Sequence, residues 1–159
     1  METVAKWYAI RVFRNRGKRV RTMLGERGIE YYSQTFLPSL IFIRTEMQRV
    51  LELRRDEWES IYVYSDMSEH GTRLPVTIPE EEFNVFRIVT SAGDTGLKFL
   101  GNNPEMYMQG DKVRVIGGPF QGAEGYIKRI KKDRRLVVTV SGVAAIATSF
   151  IPPELLEKI

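Results

Sequence analysis

Six basic side chains crowd into the eight positions 128–135, where Lys128, Arg129, Lys131, Lys132, Arg134 and Arg135 are interrupted only by Ile130 and Asp133. Such a density of cations neutralises the phosphates of a nucleic-acid backbone, or else keeps a hairpin loop solvated and a sheet edge unpaired. A second basic group, Arg14, Lys18, Arg19 and Arg21, occupies the outer face of a segment with helical spacing, where it either meets phosphate or forms a solvated helix surface. Bond-making chemistry has little to work with. The chain has no cysteine and His70 is its single histidine, so thiolate zinc sites and disulfides are excluded, and neither a metal nor another cofactor is expected. No GxxxxGK phosphate loop and no recognisable pair of catalytic carboxylates occurs, and an enzyme is not expected.

The formal charge of +4 conceals a pattern. Residues 1–44 hold nine basic and three acidic side chains, residues 45–109 six and twelve, and residues 110–159 nine and five. This alternation of sign points to directed electrostatics, although any single charge can be simple surface. At 159 residues the chain is long enough for one domain or two small ones. No apolar run approaches membrane-spanning length and no charged-then-apolar leader is read at its start, so the cytoplasm is the expected compartment.

The elements that must carry these charges follow from periodicity. Trp7 to Val12 reads as a strand, and Val20, Met23 and Leu24 recur at helical spacing behind it, closed by Gly28 at C′. Residues 29–45 form two strand-like runs with a weak turn near Gln34 and a break at Pro38. Gln48 to Trp58 reads as a helix with Met47, Val50, Leu51 and Arg54 on one side, and Ile61 to Tyr64 as a strand. The order β-α-β-β-α-β is that of a ferredoxin-like split βαβ fold, an antiparallel sheet covered by helices on one face. A third helix is expected from Pro79 to about Val89, with Glu80, Glu81 and Glu82 opposing its dipole and Phe83 and Phe86 turned inward.

Residues 91–109 lose periodicity and gain Gly, Asn, Ser and Pro, as an interdomain linker would, with a boundary near Asn103. Strands expected at 112–116, 125–130, 136–141 and 143–150 alternate with tight turns and predict a small β-barrel, so the fold class is α+β. Leu155, Leu156 and Ile159 are candidates to seal its end. Within it, GDKVRVIGGPFQGAEG at 110–125 alternates Val113 and Val115 against Lys112 and Arg114, then turns at Gly117, Gly118 and Pro119. Phe120 at the tip is either a plug folded back onto the barrel or a handle for a partner.

The run GDKVRVIGGPFQGAEGYIKRI at 110–130 resembles a KOW motif, and its place after a domain opened by WYAIRV is similar to the NusG family of transcription elongation factors. FLPSLIFI at 36–43 and TIPEEEF at 77–83 extend the likeness over nearly the whole chain. The resemblance implies an NGN-like polymerase-binding domain at 1–90, a linker at 91–107 and an SH3-like KOW barrel at 108–159. It implies docking on the clamp helices of RNA polymerase through an apolar surface comprising Phe36, Leu37, Leu40 and Phe42, with Phe120 as a partner contact of the barrel. A further implied partner is nucleic acid, as upstream or non-template DNA or nascent RNA, bound by a monomeric protein with no membrane partner.

Two departures refine this expectation. The passage from Tyr31 to Phe36 is almost direct, where many family members insert a hairpin. Val143, Ala144 and Ala145 stand where general factors carry an FGR-like sequence, which tells against binding to termination factor Rho or a ribosomal protein. Together they favour a specialised antiterminator of the RfaH and UpxY kind. The alternative expectation is a ribosome-associated or free RNA-binding KOW protein.

Overall fold

The computed structural model describes residues 4–130 and 132–159. The chain divides into two compact units, Met1–Pro79 and Glu80–Ile159.

The first unit begins β1 (Lys6–Val12), α1 (Gly17–Glu26), β2 (Glu30–Gln34), β3 (Leu37–Thr45), α2 (Met47–Asp56), β4 (Ile61–Val63). Its strands form one sheet in the order β2-β3-β1-β4, and every neighbouring pair is antiparallel. Element order and sheet order are together those of the ferredoxin-like split βαβ fold. The core follows from two periodicities meeting. Tyr8, Ile10, Ile41 and Ile43 alternate onto one sheet face and cluster with Val20 and Leu24 of α1 and Val50 and Leu53 of α2. Each such fully buried aliphatic side chain contributes about 1.5–3 kcal/mol before conformational entropy is charged against it. A short hairpin, β5 (Ser65–Met67) and β6 (Arg73–Pro75), completes the unit.

Local signals explain the boundaries. Ile29 N–H donates to the Leu24 carbonyl and Gly28 N–H to that of Gly25, at 2.9 and 3.1 Å, with Gly28 at φ +68°, so the expected glycine cap is a Schellman motif. In α2 the buried stripe is Val50 and Leu53, whereas Leu51 is half-buried and Trp58 lies beyond the helix. Pro38 falls inside β3 rather than breaking it. The register jumps from Ser33↔Ile41 to Gln34↔Leu37, so Pro38 has no partner on β2 and its missing N–H costs no bond in that ladder. Gly25, by contrast, is an exposed glycine inside α1 with nothing within 4 Å of a built Cβ. Gly25→Ala should stabilise the first unit by about 0.5–1 kcal/mol in urea denaturation, and an unchanged or lower midpoint would contradict this.

The second unit opens with α3 (Glu80–Ser91), whose first turn holds Glu80, Glu81 and Glu82 and whose buried side chains are Phe83, Phe86, Val89 and Thr90. There follow β7 (Lys98–Gly101), a 3-10 turn at Pro104–Tyr107, β8 (Lys112–Val115), β9 (Glu124–Ile130), β10 (Asp133–Val140), β11 (Ala144–Phe150) and β12 (Leu156–Lys158). They make a six-stranded antiparallel sheet in the order β12-β8-β9-β10-β11-β7. Glu82 anchors α3 on the β10–β11 turn, its Oε1 accepting from the Ser141 amide at 2.9 Å and the Ser141 hydroxyl at 2.8 Å.

The compact units part before α3, ahead of the boundary expected at residue 90, because that helix packs on β10. The expected linker at 91–107 is also built into the second unit. Lys98–Gly101 pairs with β11, and Leu100 and Tyr107 pack on Val137, Ala145 and Ala147. β10 and β11 are consequently buried on both faces, and the small side chains of Ala145 and Ala147 leave room for Leu100 and Tyr107. Ile159 does not seal the barrel end; it is 47% exposed, and its amide donates to the Lys112 carbonyl.

Candidate functional site

The apolar residues expected to form a docking face divide by burial. Phe36 is 36% exposed, whereas Leu37, Leu40 and Phe42 retain only 6, 7 and 1%. Alternation places Leu40 and Phe42 opposite Ile41 and Ile43 as expected, but both faces of this central strand are covered. Leu37, Leu40 and Phe42 are thus withdrawn from solvent in this structure, and of the four only Phe36 is exposed. Phe120 is withdrawn from solvent too. It is 6% exposed, with its carbonyl accepting from Ala123 N–H at 3.0 Å, and so is the plug rather than the handle. Val143, Ala144 and Ala145 are buried as well, at 0, 1 and 1%.

Exposed aromatic surface occurs instead along β4, at residues the sequence reading did not single out. Trp58 is 68% exposed, Tyr62 38% and Phe13 37%. β4 is an edge strand of its sheet. Arginines organise the patch: the Arg11 guanidinium lies 5.8 Å from the centre of the Tyr62 ring, Arg73 donates to the Tyr62 hydroxyl at 3.3 Å, and Arg54 donates to the Arg73 carbonyl at 3.0 Å. A groove of about 490 Å³ runs between Phe13, Trp58, Tyr62, Arg54 and Arg73. From sequence Trp58 reads only as the end of the helix expected at 48–58, and its exposure needs the fold.

The basic candidates also separate. Arg19 on α1 is held by Glu57 at 3.2 Å and by Ser60 Oγ at 2.7 Å, while Lys18 and Arg21 on the same helix and Arg14 in the turn before it make no hydrogen bond or ion pair among the described residues. Near the β9–β10 hairpin, Lys128 donates to the Gln109 carbonyl at 2.9 Å, and Arg135 donates to the Gly96 carbonyl at 3.3 Å with its side chain only 17% exposed. Arg129, Lys132 and Arg134 are exposed and have no intramolecular partner among the described residues. Lys131 lies outside the described residues.

Burial pushes the Tyr64 phenol up, and the exposed Asp56 carboxyl is held below its ordinary value first by its hydrogen bond from Arg55. No group of three or more potential metal-ligating side chains is found among the described residues. No helix among the described residues is long and apolar enough to cross a membrane.

Residues 109–141, which run from just before β8 into the β10–β11 turn, match the KOW motif family. No curated protein matches the chain by sequence. Among solved structures, it is similar to a chain in the crystal structure of the MjSpt4:Spt5 complex in conformation B, at 15% identity and a TM-score of 0.39, with 96% of each chain covered.

Proposed function

We propose that this protein is a transcription elongation or antitermination factor of the NusG kind, which binds RNA polymerase through its first unit and suppresses pausing or termination. The observation that carries this reading is the KOW motif at 109–141 following a β-α-β-β-α-β unit in the same chain. The order of the two supports it more than either alone. The mechanism needs no bond chemistry. A factor that binds the elongating polymerase more tightly than the paused one shifts the partner between those states by the difference in affinity.

With Leu37, Leu40 and Phe42 withdrawn, the proposed contact surface passes to the exposed aromatics and arginines beside β4, together with Phe36. Trp, Tyr and Arg are the residue types that dominate interface energetics. Arg14, Lys18 and Arg21 are proposed to steer neighbouring nucleic acid by their charge.

The test is retention of the full chain by purified RNA polymerase, followed by single-round transcription on a template with a defined pause. Trp58→Ala combined with Tyr62→Ala should weaken retention roughly tenfold or more and restore pausing. Its thermal midpoint should stay close to that of the parent, because neither side chain is buried. Equal retention of the parent and the double variant would remove the β4 surface from the proposal. No retention of the parent, with nucleic-acid binding intact, would favour a free RNA-binding KOW protein.

A further inference from the structure

In the hairpin between β9 and β10 two like charges face each other, and neither has an acidic partner among the described residues. Arg129 and Arg134 stand directly opposite each other in the antiparallel ladder, where like charges on one face repel. Elsewhere in the same sheet the equivalent position is complementary, with Arg114 opposite Glu124 and their charged atoms 3.8 Å apart. Lys132, in the turn, adopts φ +75°, a conformation that glycine or asparagine takes at lower cost.

The six-residue basic cluster divides by strand alternation. Lys128 and Arg135 face one way and are engaged by backbone carbonyls of the second unit. Arg129 and Arg134 face the other, the side to which Ile127 and Val113 also belong. On that side a cavity of about 300 Å³ is lined by Val113, Ile127, Ile151 and Leu156, and also by Arg134 and Asp111. Asp111 is paired with Lys158 at 3.2 Å, and Arg134 has no ion-pair partner among the described residues.

We propose that this end of the second unit binds single-stranded nucleic acid, with phosphates on Arg129, Lys132 and Arg134 and one base seated in the adjoining apolar cavity. A polyanion relieves the repulsion of the paired arginines, which a neutral or cationic partner would not. The apolar wall beside them selects strands whose bases are unstacked and free to enter, whereas in a duplex the bases are inside. The site is independent of the polymerase reading, since it uses none of the residues of the first unit.

The experiment is fluorescence anisotropy of labelled twelve-nucleotide oligo(dT) and oligo(U) with the full chain, across a salt series. Arg129→Gln combined with Arg134→Gln should lower the slope of log affinity against log salt by about 1.4, from two single-strand phosphate contacts. A control with the same charge change, Arg44→Gln combined with Arg87→Gln, should leave it near the parent value. With the parent protein, an abasic strand of the same length should bind about fivefold or more weakly than oligo(dT). Binding of either the DNA or the RNA strand in this pattern bears the proposal out. Equal slopes for the two double variants, equal affinity for the abasic strand, or tighter binding of a matching duplex would each overturn it.

Discussion

Gly125→Ala is expected to destabilise the second unit by about 3 kcal/mol, at the upper end of the usual cost of overpacking a core. A Cβ at this position would lie 2.2 Å from the Val137 carbonyl oxygen, 3.1 Å from its carbon and 3.2 Å from Leu136 Cδ1. The obstruction is backbone, so a change of rotamer cannot relieve it. Val137 is itself in the ladder opposite Tyr126 and is fully buried on a face packed by Leu100 and Tyr107. β9 and β10 must therefore separate, and the strand carrying the KOW motif loses its register with its neighbour. Urea denaturation followed by tyrosine fluorescence, which β9 carries at Tyr126, should show the midpoint fall. A midpoint within experimental error of the parent would mean that the strands do not approach as closely as described here.

Phe42→Ala should cost about 3–5 kcal/mol, because a large aromatic is removed from a position that is only 1% exposed. Phe42 pairs in register with Tyr32 on one side and Ala9 on the other, at the centre of the four-stranded sheet. Loss of polymerase binding in this variant would thus report unfolding. Phe36→Ala is the informative counterpart: at 36% exposure it should leave stability within about 0.5 kcal/mol of the parent while weakening binding if the residue makes contact. A Phe42→Ala protein with parental stability would show that this side chain is not packed, and would return Leu40 and Phe42 to the contact surface.

These two positions show how the sequence can carry half of a structural fact. Alternation in LIFI established that Leu40 and Phe42 share one side of a strand and Ile41 and Ile43 the other. It did not establish that both sides are covered, since strands buried on two faces and on one can contain the same residues when the covering elements are distant in the chain. The same gap separates the reading of residues 91–107 from their structure. KFLG at 98–101 is too short, and too closely flanked by glycine and asparagine, to read as a strand by itself. It becomes one because β11 offers a free ladder and because Ala145 and Ala147 are small enough to admit the neighbouring Leu100 and Tyr107.

What the sequence by itself determined is whatever depends on near neighbours. The split βαβ order, the Schellman cap at Gly28, the acidic first turn of α3, the turn beyond Val115 and the density of cations at 128–135 all follow from local periodicity, backbone preference and charge. Only the tertiary structure decided which of those features meet solvent. Packing turned Phe120 inward, left Trp58 and Tyr62 on an open edge, tied down Lys128 and Arg135, and set Arg129 opposite Arg134. Exposure and pairing are properties of contacts between residues far apart in the chain, which is why composition could supply the charges and aromatics but not say which of them remain free for a partner.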